Sequence, residues 1–217
     1  PVRFSHLTAY AGVASIVRDH NDFIMAISDT RYWIDKNSKS ITSPILNVER
    51  VKKHLKITKE LRMPPTAQLN NSRVEGHPLP AIIFPSYAKC KYCNRLHHKP
   101  WYGANKEITK DLPCDACKKT GLEQVTWCAV SSAGDLTDVP WHFICHRNSQ
   151  SKCEEDVGNA YLEIISGARG KKIIRCTKPE CRASFEFEQM NIKMTGDYQP
   201  WAKDIRKDSE PKSYTIM

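Results

Sequence analysis

Short apolar runs separated by polar breaks set the pattern of the first part of the chain. Residues 3–12 read as a short turn or helical piece, and two apolar stretches, Ala14–Val17 and Phe23–Ile27, flank the polar run Asp19-His20-Asn21-Asp22. Their short length and β-branched content predict two strands joined by a turn at Asp19–Asp22. Tyr32 and Trp33 are expected to pack against this hairpin, since their rings supply apolar area more readily than a binding function. From Pro44 to Leu61 the pattern changes: Ile45, Val48, Val51, Leu55 and Leu61 fall near the helical period. Ser43 followed by Pro44 offers an N-cap and a first turn, so a helix is predicted there, with Arg50, Lys52, Lys53, Lys56, Lys59 and Arg62 on its solvent side. Met63–Thr66 and Glu75–Pro80 are polar and proline-rich and read as an extended connection, after which Ala81–Phe84 returns as a strand.

The remainder predicts mainly strands. Leu122–Val130 reads as one, and Tyr161–Ile165 and Lys172–Arg175 read as two more, linked by the basic turn Ser166–Lys172. That turn does not match a nucleotide-binding Gly-x-x-x-x-Gly-Lys-Ser/Thr loop. Asp135 or Asp138 is expected to organise a turn that Pro140 and Trp141 anchor to the core, which leaves little reason to place acid–base chemistry on Asp138 and His142. The resulting fold class is α+β: a small mixed N-terminal domain over residues 1–80 with a basic helix, a β-rich domain of zinc-ribbon-like modules over 81–201, and a charged tail over 202–217 that is expected to be mobile without a partner.

Composition narrows the class. The chain has 217 residues, 40% of them hydrophobic, enough for a real core. Residues 1–6 lack the apolar stretch of a secretory signal and no apolar run reaches the about 18 residues of a membrane span, which predicts a soluble cytoplasmic protein. Nine cysteines cannot all pair with one another as disulfides, and in a reducing compartment thiols serve as metal ligands. The net charge of +9 makes contact with a polyanion plausible. Lys52, Lys53, Lys56, Arg169, Lys171 and Lys172 are the phosphate-contact candidates by charge. A divalent ion on four thiolates carries about −2, so metal sites would reduce that positive balance.

The candidate chemistry is metal binding. Cys90 and Cys93 form one Cys-x-x-Cys pair and Cys114 and Cys117 another, the arrangement that presents four thiolates to one tetrahedral zinc ion. His97 and His98 lie between the pairs, but four thiolates complete the shell without them. Cys176 and Cys181 form a widened pair with four residues between the thiols, and Cys145, His146 and Cys153 lie upstream. The preferred second set is His146, Cys153, Cys176 and Cys181, with Cys145 in place of His146 as the main competitor and Cys128 as a third possibility, although Cys128 reads more simply as a buried thiol. Neither set looks catalytic, because no His-Glu-x-x-His helix and no nucleophile elbow is present.

Several segments together resemble the N-terminal zinc-binding region of DrmB-like proteins, known from the DISARM antiphage systems and related bacterial defence loci. They are Phe4–Val17, Arg50 with Leu55, Leu61–Pro65, Phe84–Cys93, Leu112–Cys117, Val125–Trp141 with His146, Leu162–Gly170, Arg175–Ser184 and Thr195–Trp201. Gly134-Asp135 stands where that family has Gly-His, and Gln199 stands where it has arginine. The resemblance favours His146, Cys153, Cys176 and Cys181 as ligands of a second zinc. It also implies a non-enzymatic accessory subunit of a defence complex, docking a helicase-like or nuclease-like partner and lending basic surface to DNA. The exposed helix or the segment 200–206, with Trp201 and Ile205, would offer docking surface. An independent nucleic-acid-binding zinc protein and a metal-dependent nuclease are the alternatives.

Overall fold

The computed structural model describes residues 12–19, 21–70, 73–101, 111–150, 153–156, 158–188, 190–194 and 212–217. The expected helical piece at 3–12, all but its last residue, and the docking segment at 200–206 lie outside them. The described residues up to Ile83 form one compact unit and those from Phe84 onward a second.

In the first unit, β1 (Ile16–Arg18) and β2 (Ile24–Ile27) pair antiparallel, with Val17 opposite Met25. The turn between them forms where it was expected. The Asp19 carboxylate accepts the backbone N–H groups of Asn21 and Phe23, both at 2.9 Å, and Asp22 takes a left-handed φ of 63°. Trp33 is buried, as predicted, and its indole N–H donates to the Ser28 carbonyl at 3.0 Å.

The helix predicted from Pro44 to Leu61 is corrected. Only Glu49–Leu55, α1, is helical; Ser43–Pro44 is instead an extended segment, β3, paired with β4 (Arg62–Met63). Asn47 has a left-handed φ of 57° that a helix through this point could not contain, and α1 ends on Lys56 at φ 53°. Ser43 therefore caps nothing, and Val48 takes the N-cap position without a side-chain hydrogen bond. Two further strands, β5 (Ala67–Asn70) and β6 (Arg73–Gly76), form a hairpin where part of a connection was expected. Strand β7 (Ala81–Ile83) pairs with β2, so it closes the first sheet, and the division between units falls after Ile83 rather than at residue 80.

The second unit opens with β8 (Tyr87–Cys90) and β9 (Leu96–His98), joined in one sheet by β10 (Leu122–Gln124). Next come β11 (Cys128–Ser131), β12 (Leu136–Asp138) and the short helix α2 (Trp141–His146). Strands β13 (Leu162–Ser166), β14 (Lys172–Cys176) and β15 (Ser184–Phe187) make an antiparallel sheet, with the expected basic turn between the first two. β16 (Met190–Met194) and β17 (Lys212–Ile216) complete a sheet in the order β12-β11-β17-β16.

The charged, mobile tail expected over 202–217 is therefore corrected at its end. Lys212–Ile216 is an interior strand, with Tyr214 and Ile216 buried on one face by the two-residue period of the pleat. Beside them, Trp127, Trp141 and Phe187 meet edge to face with ring centroids 5.3–5.8 Å apart, and Ile144, Ile164, Ile174 and Ile192 fill the same core. The fold is a β-rich α+β arrangement, with two α-helices among the described residues. No described helix is long and apolar enough to cross a membrane.

Candidate metal centres

The first centre is two copies of one turn. Strand β8 ends on Cys90, whose carbonyl accepts the Asn94 N–H at 2.9 Å while its own N–H donates to the Arg95 carbonyl. Cys114 repeats this with Lys118 at 2.7 Å and Lys119 at 2.9 Å. The fourth residue after each leading cysteine is left-handed, Asn94 at φ 60° and Lys118 at φ 62°. Each turn aims two thiols inward. Cys90 Sγ lies 3.6 Å from Cys117 Sγ, and Cys93 Sγ lies 3.5 Å from Cys114 Sγ. A disulfide would require about 2.05 Å, whereas a tetrahedral ion with metal–sulfur bonds of about 2.3 Å sets its ligands about 3.8 Å apart. The four thiols are thus spaced for a shared ion, not for oxidation.

Electrostatics point the same way. Burial pushes the Cys93 thiol up to about 12 and raises Cys114 as well. Burial also works against the Cys90 thiolate, but the backbone N–H groups of Cys93 and Tyr92 outweigh it and bring that thiol down to about 7. One stabilised thiolate beside the raised Cys93 and Cys114 thiols is what a cluster without a cation can hold; a metal ion would supply the charge that lets those two ionise. His97 is buried against this centre, with Nε2 at 3.3 Å from Cys114 Sγ and Nδ1 at 3.7 Å from the Asp115 carboxylate. Burial pushes its pKa down, and its Nε2 lies within hydrogen-bond reach of the sulfur. His98 instead packs against Tyr87 in a tilted arrangement, with ring centroids 4.8 Å apart.

The second centre gathers His146, Cys153, Cys176 and Cys181, whose ligand atoms lie within 4.8 Å of one another, as do those of the first. His146 closes α2, and its Nδ1–H donates to the His142 carbonyl one turn back at 2.8 Å. That bond fixes the tautomer and leaves the Nε2 lone pair facing Cys181 Sγ at 3.3 Å. Cys176 ends β14 with its Sγ 3.9 Å from that of Cys153. Cys145 is left out, since consecutive helical side chains diverge by about 100°. Its Sγ points to the Ala183 carbonyl at 3.4 Å, and burial pushes its thiol up to about 12. Cys128 lies on β11 outside both clusters, its thiol also raised by burial.

Sequence reasoning missed the support of this second centre. His142 stacks on His146 at 4.1 Å, and its Nδ1 is 2.7 Å from the Tyr161 hydroxyl. Burial holds His142 neutral and keeps the Tyr161 phenol protonated, so the hydroxyl donates and the imidazole accepts. The signal was the four-residue spacing of His142 and His146, which puts both rings on one helix face. Asp138, the one carboxylate weighed for acid–base chemistry, and Asp135, expected with it to organise a turn, are both engaged by hydroxyl and backbone groups. Asp138 accepts from the Ser86 N–H at 2.8 Å and from its hydroxyl, and Asp135 closes a turn onto Ser131 at 3.0 Å.

The six basic candidates are divided between the units. Lys52, Lys53 and Lys56 belong to α1 and its cap, with Lys52 3.6 Å from Glu49. Arg169 sits at the β13–β14 turn with φ 56°, Lys171 pairs with Glu186, and Lys172 donates to Ser166 Oγ at 3.3 Å.

No curated protein matches the chain. A family model does match it, from residue 3 to residue 216. The chain accordingly belongs to the family described as domain of unknown function DUF8724.

Proposed function

We propose that this protein is a non-enzymatic, zinc-held accessory subunit that docks onto a larger partner. The observation that carries the reading is the closure of both metal centres: each offers four protein ligands at tetrahedral spacing, leaving no open position for a substrate or an activated water. Four thiolates, or three with one imidazole, favour zinc among the ions available to cytoplasmic proteins, with iron as the competitor for the all-sulfur site. Zinc there contributes folding energy, and its chemistry ends at that.

A docking face supports the rest of the reading. Ile45, Leu46, Val51, Leu55 and Met63 are exposed in the first unit, Leu46 at 78% and Leu55 at 56%. Arg50, Lys53 and Lys56 stand among them, also exposed. Apolar side chains rimmed by positive charge suit an acidic amphipathic segment of a partner. The resemblance to DrmB-like proteins makes a helicase-like or nuclease-like defence protein in the cytoplasm the partner to look for first.

Capture of the tagged protein from its own host, with mass spectrometry of what accompanies it, tests this. A helicase-like or nuclease-like protein should be recovered with the wild type and lost with Leu46→Glu/Leu55→Glu, while the metal content of the variant stays at two zinc ions. Equal recovery with both proteins, or turnover of a nucleic-acid substrate by the isolated chain, would overturn the reading.

A further inference from the structure

The tip of the first metal-binding turn carries a combination that neither metal ligation nor core packing uses. Tyr92 stands between Cys90 and Cys93 and is 52% exposed. The ammonium groups of Lys91 and Lys119 lie over its ring, 5.2 and 5.0 Å from the centroid, one from each of the two turns. Lys118, next to Lys119, is exposed as well, and none of the three forms an ion pair with a described carboxylate. This sets them apart from Lys52, Lys171 and Lys172, which the fold engages. Gly121 lets the two turns lie flush, because a Cβ there would sit 2.7 Å from Lys91 Cε and 2.9 Å from Tyr92 Cε2. The Lys91 N–H donates to the Gly121 carbonyl at 3.0 Å, and the Tyr92 N–H points at Cys90 Sγ at 3.4 Å. The ring is thus mounted on the backbone of a turn whose two cysteines would share the ion.

We propose that this tip is a stacking platform for single-stranded nucleic acid. One unstacked base lies on the Tyr92 ring, and the flanking phosphates are met by Lys91, Lys118 and Lys119. The ammonium groups over the exposed ring are carried on flexible stems; an unpaired nucleotide offers a flat π-face to replace them on the ring and adjacent phosphates to receive them. A duplex hides its base faces in the stack and could use only the charges. Asp115 is the one carboxylate on the two turns, and with a thiolate centre of about −2 it limits the affinity. The proposal needs the first centre to be metal-filled, but not the docking reading, since the docking face belongs to the other unit.

Fluorescence anisotropy of the zinc-loaded full chain with labelled oligothymidylate, oligouridylate and a duplex of equal length tests it at low and moderate salt. Saturable binding is expected, tighter for the single strands than for the duplex, and the two single strands tell DNA from RNA as the source. Tyr92→Ala should weaken it by about five-fold or more, from the loss of one stacked base. Tyr92→Trp should restore it, and Lys118→Gln/Lys119→Gln should flatten the salt dependence. Each variant should keep its zinc content and melting temperature. No saturable binding by the wild type, equal affinity for the duplex, or unchanged binding by Tyr92→Ala would each overturn the platform while leaving the partner-capture result standing.

Discussion

Cys145 and His146 are neighbours in the chain, and the difference between them is what a helix does with consecutive side chains. The sequence alone could rank them only by chemistry, since both are good ligands. The structure separates them because the His142 carbonyl takes the Nδ1 proton of His146, while Cys145 is turned onto the carbonyls of β14 and the segment that follows Cys181. Cys145→Ala should therefore keep both metal ions, as counted by elemental analysis, whereas Cys181→Ser should lose one; loss of an ion from Cys145→Ala would reverse the assignment. The Tyr161 hydroxyl acts one step further out, through His142. Tyr161→Phe keeps the ring and removes that donor, and should weaken the second centre by about tenfold in competition with a chelator while leaving the first unchanged. A second-centre affinity unchanged from the wild type would mean that the hydroxyl positions nothing.

At the scale of elements, what could be read from the chain was what short-range spacing decides. The two Cys-x-x-Cys turns, the β1–β2 hairpin and the basic turn between β13 and β14 each depend on a few adjacent residues, and they form where they were expected. The long helix fails for the opposite reason. The period of Ile45, Val48, Val51 and Leu55 presumes a core for that stripe to face, and Ile45, Val51 and Leu55 are left exposed. The stripe is left on the surface, and only Glu49–Leu55 of the expected span is helical. Strand β17 was hidden by its surroundings, because the alternation of Tyr214 and Ile216 follows a charged, proline-bearing stretch. Its importance is measurable. Tyr214→Ala removes a fully buried ring and should cost about 3 kcal/mol in chemical denaturation, the range for deleting a large aromatic side chain. A change below about 0.5 kcal/mol, typical of an exposed site, would show the strand to be dispensable.

For the whole molecule, both metal centres lie in the second unit and the exposed apolar face lies in the first. Under the proposed reading, metal-dependent stability belongs to the second unit and docking to the first. Chelation should remove the ordered environment of Trp141 while the Trp33 indole, bonded to Ser28 in the other unit, keeps its signal. Nuclear magnetic resonance of the two indole N–H groups reads this directly, and simultaneous loss of both signals would show that the first unit also depends on metal.

Native mass spectrometry of the purified full chain tests the two closed centres together. The chain should carry a mass increment of two zinc ions, reduced to one by Cys114→Ser and to one by Cys176→Ser. A chain that binds one ion or none, or a Cys176→Ser variant that still holds two, would contradict this.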